Sequence, residues 1–343
     1  MKILRQLSEA IGVSGAEGEV RRVILNLIRP YVDDIQTDTL GNLLAFKKGT
    51  ASSGPTVMLD AHMDEVGLMV TGYNGDGMLK VEAIGGLDER ILPGIRVLVG
   101  PQKLPGVIGV KPVHLLENSE RDTVIKLDAV RVDIGVSSKE AAQSKAPIGT
   151  RIAFDTPFLD LGQTVRGKAF DDRAGCAVLV HLLQGEPFPF DIAAVFTVQE
   201  EVGLRGAGVA AHAVKPDMAF VLEGTICDDL PKKDDVSPTT VLGAGPALSV
   251  MDRSVIYDAR LNRLITKTAD ELGIPYQFKQ PGIGGTDGGS INLSEAGVPV
   301  AALSVPCRYI HSPAAILSKK DYQNTIRLLR ETLARVDRSV ITR

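Results

Sequence analysis

Cysteine is scarce in this sequence, with only Cys176, Cys227 and Cys307 among 343 residues. The three are widely spaced and odd in number, and no Cys-X-X-Cys pair occurs, so a disulfide framework is not indicated. Isolated cysteines are typical of reduced thiols in the cytosol, where cellular reductants keep thiols free. We therefore expect a cytoplasmic protein.

Long apolar runs and charge of one sign are also lacking. No apolar run approaches the roughly 20 residues that span a bilayer. The first residues, MKILRQLSEAIGVSG, alternate charged and apolar side chains instead of presenting the apolar core of a signal peptide. The formal net charge is −4, and no block of like charges occurs, so electrostatics favours neither nucleic acid nor an anionic membrane as a partner.

The rest of the composition is that of a soluble globular protein. Apolar residues make up 44% of the chain and charged residues 23%, which allows a large core. A chain of this length exceeds one small core, so we expect two or three domains. We find no internal repeat and no low-complexity segment.

Strands and helices alternate in the first and last parts of the chain. Apolar residues at helical spacing predict helices near Lys2–Ala10, Glu17–Ile28, Ile256–Leu272 and Lys319–Val336. Short apolar runs predict buried strands at Thr56–Leu59, Asp191–Gln199, Met218–Glu223 and Pro299–Val305. This alternation is typical of an α/β fold in which a mixed central sheet is flanked by helices.

The middle of the chain has a different texture. From about Gly67 to Phe158, short β-rich runs are separated by Gly and Pro, and almost no helical pattern occurs. Such a stretch indicates a small β-domain of barrel or sandwich type. We therefore predict an α/β domain formed by residues 1–66 and 159–343, interrupted by an inserted β-barrel-like domain at residues 67–158.

Side chains that can bind metal lie at the ends of the predicted strands or before a predicted helix. They are His62, Asp171, Glu200, Glu201, Glu223 and His311. Each alone has a structural explanation: a packed core histidine, a carboxylate at a helix N-terminus, a polar sheet edge, or a glutamate paired with a buried arginine. Together they supply two imidazoles, three candidate carboxylate ligands and one spare carboxylate. That set can hold two divalent metals and still provide a general base.

Local geometry favours particular roles for some of these residues. His62 and Asp64 point to the same side of an extended segment, so Asp64 can accept a hydrogen bond from one ring nitrogen and leave the other for a metal. Glu200 and its neighbour Glu201 point to opposite sides, which favours one as ligand and the other as base. The residues alone leave open whether Asp171 or Asp172 bridges two metals.

A glycine-rich turn, GGTDGG at Gly284–Gly289, precedes a short predicted helix at Ser290–Ala296. It lacks the strand context and the lysine of a phosphate-binding loop. Glycines allow a backbone to approach a ligand closely, so we interpret the segment as a tight turn near the substrate. Gly285, Thr286 and Asp287 are therefore candidate substrate contacts.

Six segments together resemble a known family: AHMDEVG, RVDIG, KAFDDR, QEEVGLRGA, GGTDGG and a late HSP. They occur in the expected order from near residue 60 to near residue 313. The chain resembles the dinuclear-metal aminopeptidases that include the tetrahedral aminopeptidases, the glutamyl aminopeptidases of lactic bacteria and proteins labelled cellulase M. The resemblance implies a zinc-exopeptidase-like fold and removal of N-terminal residues from short peptides.

The resemblance also implies a ligand set for two ions of Zn, Co or Mn. One ion would take His62 and Glu223, the second would take Glu201 and His311, and Asp171 would bridge them. A cis peptide between Asp171 and Asp172 is implied as well. Many members of the family carry Asp at the position of Glu223. Glu is also an oxygen ligand, but its side chain is longer, which would alter the coordination geometry or the choice of metal.

A mechanism and an assembly follow from the same resemblance. Two metals would lower the pKa of a bridging water, Glu200 would take its proton and deliver it to the leaving amine, and Asp64 would orient His62. The inserted domain would build dimers, and the dimers would assemble into a dodecamer.

Two other functions and one question of specificity stay open. A glycoside hydrolase needs two carboxylates facing each other about 5–9.5 Å apart, whereas an inactive assembly scaffold needs no metal. Arg308 and Arg253 would place positive charge near a side-chain pocket and favour acidic N-terminal residues, unless they are surface or salt-bridged arginines.

Overall fold

The computed structural model describes residues 1–51, 54–230 and 238–342. The α-helices in these ranges are α1 Lys2–Glu9, α2 Gly18–Ile28, α3 Lys139–Lys145, α4 Phe170–Leu183, α5 Arg205–Val214, α6 Ala259–Leu272, α7 Gly288–Asn292 and α8 Lys319–Leu333. Short 3-10 helices occur between and after them, for example at Arg29–Tyr31 and Arg338–Ile341.

The strands of the first half are β1 Asp34–Thr37, β2 Leu43–Lys47, β3 Thr56–His62, β4 Gly67–Tyr73, β5 Leu79–Ile84, β6 Arg96–Val99, β7 Leu104–Ile108, β8 Arg131–Asp133 and β9 Arg151–Phe154. Those of the second half are β10 Leu159–Asp160, β11 Thr164–Gly167, β12 Asp191–Thr197, β13 Met218–Cys227, β14 Ala247–Leu248, β15 Gln277–Phe278, β16 Val300–Arg308 and β17 Ala315–Ser318.

A large mixed sheet runs through the α/β part in the order β1-β2-β12-β3-β13-β16-β17-β11-β10, with β14 and β15 attached beside β16. Its four central strands, β12, β3, β13 and β16, are parallel to one another. They are almost entirely buried, which explains why they read as continuous apolar runs. The predicted α/β fold with a mixed, helix-flanked sheet is confirmed.

Helices cover both faces of this sheet because alternate side chains of each central strand point to opposite sides. In β3, Val57 and Leu59 pack into a core with α1, α2, α4 and α8, whereas Met58 packs into a second core with α5 and α7. Ser318 caps α8 by accepting a hydrogen bond from the backbone N–H of Asp321 at 3.2 Å. No helix among the described residues is long and apolar enough to cross a membrane.

Strands β4, β5, β8, β7, β6 and β9 close into an antiparallel barrel in that order. The barrel has its own core, which includes Leu68, Val81, Val97, Val132 and Ile152. All six strands lie within residues 67–154, so the β-rich middle of the chain forms a small barrel as predicted.

The structure differs from the predicted elements in several places, three of them at α3, β13 and α7. Helix α3 lies inside the β-rich segment, where no helix was predicted; its start is capped by Ser138, whose Oγ accepts from the N–H of Ala141. Strand β13 continues past Glu223 to Cys227 because its pairing with β16 continues. The short helix after the glycine-rich turn is Gly288–Asn292 and begins two residues earlier than predicted.

Candidate metal centre

The four parallel strands bring the predicted ligands to one edge of the sheet. His62 is the last residue of β3, and Glu223 lies within β13. Glu200 and Glu201 follow β12, and His311 follows β16. Because these strands are adjacent and parallel, their carboxyl ends meet where open sheets bind ligands.

His62 contacts carboxylates with both ring nitrogens. Its Nε2 lies 3.1 Å from Asp171 Oδ1, 3.7 Å from Glu223 Oε2 and 3.9 Å from Glu200 Oε2. Its Nδ1 lies 3.5 Å from Asp64 Oδ1. Burial favours the neutral ring, but the surrounding carboxylates prevail and raise the pKa of His62 well above its usual value.

His311 is held from two directions. Its Nε2 lies 3.4 Å from Asp171 Oδ2 and 3.3 Å from Glu201 Oε2. Its Nδ1 lies 3.0 Å from the carbonyl oxygen of Gly86, in the turn that follows barrel strand β5. A ring that donates from Nδ1 to a carbonyl leaves Nε2 free to bind a cation. Burial opposes the charge, but Asp171 and Glu201 raise the pKa of His311 to about 9.

Asp171 and Asp172 have different surroundings, although they are adjacent and joined by a cis peptide bond, as the resemblance implies. Asp171 directs one oxygen to each imidazole. The oxygens of Asp172 accept from the backbone N–H groups of His62 at 3.2 Å and Gly175 at 2.8 Å. Donor atoms of His62, Asp171 and Glu201 lie within 4.8 Å of one another, and so do those of His62, Asp172 and Glu223.

Asp64 ties together two loops of the centre. Its oxygens accept from the backbone N–H groups of Glu200 at 3.0 Å and Glu201 at 3.2 Å, and from Ser14 Oγ at 2.6 Å. Burial opposes its ionisation, but these hydrogen bonds and His62 hold the pKa of Asp64 below its usual value. Asp64 therefore lies beside His62 Nδ1, at 3.5 Å, and holds the backbone that carries both glutamates.

The remaining carboxylates have the electrostatics of an acidic site that requires a cation. Burial and neighbouring carboxylates, opposed by the nearby imidazoles, raise the pKa of Glu201 to about 7 and those of Glu200 and Glu223 well above the usual value. Glu201 Oε1 and Glu223 Oε1 are buried without a hydrogen-bond partner. A buried carboxylate oxygen is costly unless a proton or a metal satisfies it, so these residues fit a divalent metal with nitrogen and oxygen ligands.

A buried ion cluster beneath the centre was not predicted. Glu65 lies within 2.6 Å of Lys168 Nζ and 3.0 Å of an Arg173 nitrogen, and all three side chains are buried. Arg173 also donates to the carbonyl oxygens of Leu7 and Met63. The cluster joins helix α1, the loop after His62 and the segment that carries Asp171. Its sequence signal was the charged residues of AHMDE and KAFDDR.

A cavity of about 560 Å³ opens above the centre. Of the predicted substrate contacts, Gly285 and Thr286 line it. Asp287 lies buried behind the wall, where it accepts a hydrogen bond from Thr197 Oγ1 at 2.5 Å. Arg308 is not among the lining residues, and it pairs with Asp229 at 2.6 Å and 2.8 Å.

Nitrogen and oxygen donors gathered in one cavity at the edge of a mixed sheet are typical of a metalloenzyme. Residues 41–328 match the M42 glutamyl aminopeptidase family. A relative from Acetivibrio thermocellus with an aminopeptidase name is 40% identical over 96% of this chain and 97% of its own. A lysyl aminopeptidase from Pyrococcus furiosus is 34% identical over 97% and 96%. The chain belongs to the M42 glutamyl aminopeptidase family and is a metal-dependent aminopeptidase.

Solved structures agree with this assignment. A TET aminopeptidase from a marine sediment archaeon of the Thaumarchaeota has a TM-score of 0.93 at 37% identity, covering 99% of this chain and 97% of its own. The TET1 peptidase of Pyrococcus horikoshii, described as assembling into a tetrahedron or a large octahedral shell, has a TM-score of 0.86 at 32% identity, covering 98% and 99%. A protein named endoglucanase from Thermotoga maritima has a TM-score of 0.80 at 36% identity, covering 97% and 98%.

Proposed function

We propose that this enzyme removes N-terminal residues from short peptides with two divalent metal ions, Zn, Co or Mn, bound in the centre. The ions would be held by His62 with Glu223 and by Glu201 with His311, with Asp171 shared. The observation that supports this pairing is that Asp171 directs one carboxylate oxygen to each imidazole, at 3.1 Å and 3.4 Å.

Asp171 suits the shared position better than Asp172. Both oxygens of Asp172 already accept backbone hydrogen bonds, from His62 and Gly175. A carboxylate occupied in this way positions the chain and has less capacity left for cations. We therefore assign Asp172 to holding the backbone of His62 in place.

The proposed chemistry is hydrolysis with Glu200 as general base. When bound, the cations would activate water and polarise the scissile carbonyl group. Glu200 Oε2 lies 3.9 Å from His62 Nε2 and borders the cavity, so it can take the proton of the attacking water and return it to the leaving amine. Burial raises its pKa, which suits a carboxylate that holds a proton during turnover.

Replacing Glu200 with Ala tests this assignment. We expect peptide hydrolysis to be abolished while the metal content, measured by elemental analysis, stays that of the wild type. Glu117→Ala, at an exposed glutamate of the barrel, should leave both unchanged. Full activity of Glu200→Ala would refute the assigned role, and loss of metal would place Glu200 among the ligands.

A glycoside hydrolase is the rival that the name of the Thermotoga maritima structure suggests. The carboxylates of this centre are grouped around two imidazoles, and a sugar hydrolase of the two-carboxylate type has no use for those rings. Assays with cellulose and with peptides, each with and without chelator, separate the two activities. Chelator-resistant sugar release would favour the rival, and a protein free of metal and inactive on both would favour an assembly scaffold.

We also propose that residues 67–158 form the inserted domain through which subunits dimerise on the way to a dodecamer, while residues 1–66 and 159–343 form the catalytic domain. The described part of the barrel segment exposes apolar side chains at Val107, Val110, Val113, Leu115 and Ile148, and exposed apolar patches mark contact surfaces. Light scattering on Leu115→Glu tests this role. A wild type that is monomeric, or a variant with unchanged mass, would contradict it.

A cytoplasmic location completes the proposal. The three cysteines are free and buried, which suits a reducing compartment. Cell fractionation with a compartment marker would test it.

A further inference from the structure

Lys279 is a buried cation in the wall of the catalytic cavity. It follows β15, its backbone N–H donates to the carbonyl oxygen of Leu248 at 2.9 Å, and the residue is 7% exposed. Among the described residues that line the cavity it is the only lysine or arginine. The same cavity also contains the carboxylates of the metal centre. One part of its wall is therefore negatively charged, and the part at Lys279 is positively charged.

Among the described residues the ammonium of Lys279 forms no ion pair, and it is not one of their fully buried unpartnered polar atoms, so it faces the cavity that the residue lines. The other buried lysine of the described residues, Lys168, is instead paired with Glu65 at 2.6 Å. Lysine is almost never buried unless it is paired, so an ammonium on a residue only 7% exposed that opens to a cavity is placed to pair with an anion of a ligand.

The cavity wall leaves this ammonium open to a ligand. Its nearest glycine, Gly284, has a φ of +70°, and a Cβ built there would lie 3.8 Å from Lys279 Nζ. A side chain at Gly284 would therefore cover the ammonium, whereas glycine leaves it uncovered. Neighbouring lining residues include the apolar Leu204, Ile226 and Ile310, which can pack on the methylene groups of a substrate side chain.

Arg308, which the sequence offered as the source of positive charge, cannot take this role. Its guanidinium makes two hydrogen bonds to Asp229, and the arginine does not line the cavity. Its charge is thus neutralised outside the cavity.

We propose that Lys279 is a specificity-determining residue that pairs with the side-chain carboxylate of an N-terminal Glu or Asp of the peptide. This inference rests on the proposed peptidase function. A peptide of this kind would place its α-amino group at the carboxylate-rich end of the cavity and its side-chain anion at the lysine.

The test uses the metal-loaded enzyme and four aminoacyl p-nitroanilides, those of Glu, Asp, Leu and Lys. We expect the wild type to prefer Glu or Asp. Lys279→Met keeps nearly the same side-chain length and removes the charge. The kcat/KM for the Glu anilide should then fall about 10- to 100-fold, the range for a lost hydrogen bond to a charged group. The kcat/KM for the Leu anilide should stay within about threefold. Lys279→Arg should keep the acidic preference, and Lys279→Glu should shift it toward Lys.

Controls separate specificity from folding and from failure of the peptidase assignment. Lys267→Met removes a lysine on an exposed face of α6 and should change nothing, and the metal content of Lys279→Met should equal that of the wild type. Equal losses on Glu and Leu, or a wild-type preference for Lys or Leu, would overturn the role of Lys279 alone. A metal-loaded wild type that hydrolyses none of the four anilides would instead overturn the proposed function.

Anilides have no C-terminal carboxylate, so they exclude one other use of the lysine. If Lys279→Met hydrolysed Glu anilide as well as the wild type does but lost activity on Leu-Gly and kept it on Leu-Gly amide, the lysine would bind the peptide's C-terminal carboxylate. That result would overturn the proposed recognition of the side chain.

Discussion

The buried carboxylate of Glu65 offers the sharpest test of how the metal centre is held in place. Glu65 accepts hydrogen bonds from Lys168 Nζ at 2.6 Å, Arg173 at 3.0 Å and the backbone N–H of Gly12 at 2.9 Å. In Glu65→Gln the shape of the side chain is kept and its charge is lost, so two buried cations face no anion. Removing one partner of a buried pair costs about 3–5 kcal/mol, a large part of the roughly 5–15 kcal/mol stability of a folded domain.

The loss should depend on pH because Lys168 can give up its proton. Burial lowers the pKa of Lys168 to about 8 from the ordinary 10.5. The unfolded chain therefore binds more protons than the folded chain between these values, and stability rises with pH in that window. Without Glu65 the pKa of Lys168 in the folded protein is lower still, so the pH window in which stability rises extends toward neutral pH. The difference in unfolding free energy between the wild type and Glu65→Gln should therefore shrink as pH rises from about 7 to about 9.

Urea unfolding of the metal-free protein, followed by circular dichroism at both pH values, measures this deficit. Glu19→Gln is the matched control, because Glu19 makes a partly exposed pair with Lys103 at 2.7 Å and surface changes of this kind stay within about 0.5 kcal/mol. A Glu65→Gln deficit no larger than that of Glu19→Gln, or one that grows with pH, would refute the reasoning.

Three further predictions address the centre and its surroundings. Complete removal of metal by a chelator should abolish aminopeptidase activity, and Zn, Co or Mn should restore it in an anilide assay; activity without metal would contradict this. A Cβ at Gly224 would lie 2.8 Å from Asp171 Cα, so Gly224→Ala should displace Asp171 and lower the metal stoichiometry, whereas Gly208→Ala, whose Cβ meets its nearest neighbour at 3.6 Å, should not. The hydrogen bond from Arg308 lowers the pKa of Asp229 to about 2 from 3.8. This pair therefore stabilises the fold above about pH 4 and loses its effect as pH falls toward 2. The difference in unfolding midpoint between the wild type and Asp229→Asn should vanish in acid, and a difference that stays constant with pH would count against this prediction.

The convergence of the predicted metal ligands could be foreseen from the sequence because its signal is local. Each of β3, β12, β13 and β16 is an apolar run that ends in, or is soon followed by, a histidine or a carboxylate, and parallel strands share an edge. The extent of β13 was less predictable. Its apolar run ends at Leu222, but backbone pairing with β16 continues to Cys227, and hydrogen-bonded pairing leaves no trace in side-chain polarity.

The groups that support and surround the centre were hidden for a different reason. Glu65, Lys168 and Arg173 each look like an ordinary charged residue in the sequence, and only long-range packing against α1 buries them together. Lys279 stands in an unremarkable segment, QFKQPG. Its place in the cavity depends on the pairing of β15 with β14, two strands about 30 residues apart in the sequence. Pairing over that distance produces no periodic pattern in the local sequence.

The carbonyl of Gly86 belongs to the barrel, yet it accepts a hydrogen bond from the ring of His311 in the other part of the molecule. Deleting the inserted barrel to obtain a smaller enzyme would remove the hydrogen-bond acceptor of the His311 ring, so the ring would be free to rotate. An engineer would need to graft a new acceptor at the same spot, and a descendant that shed the barrel during evolution would face the same demand.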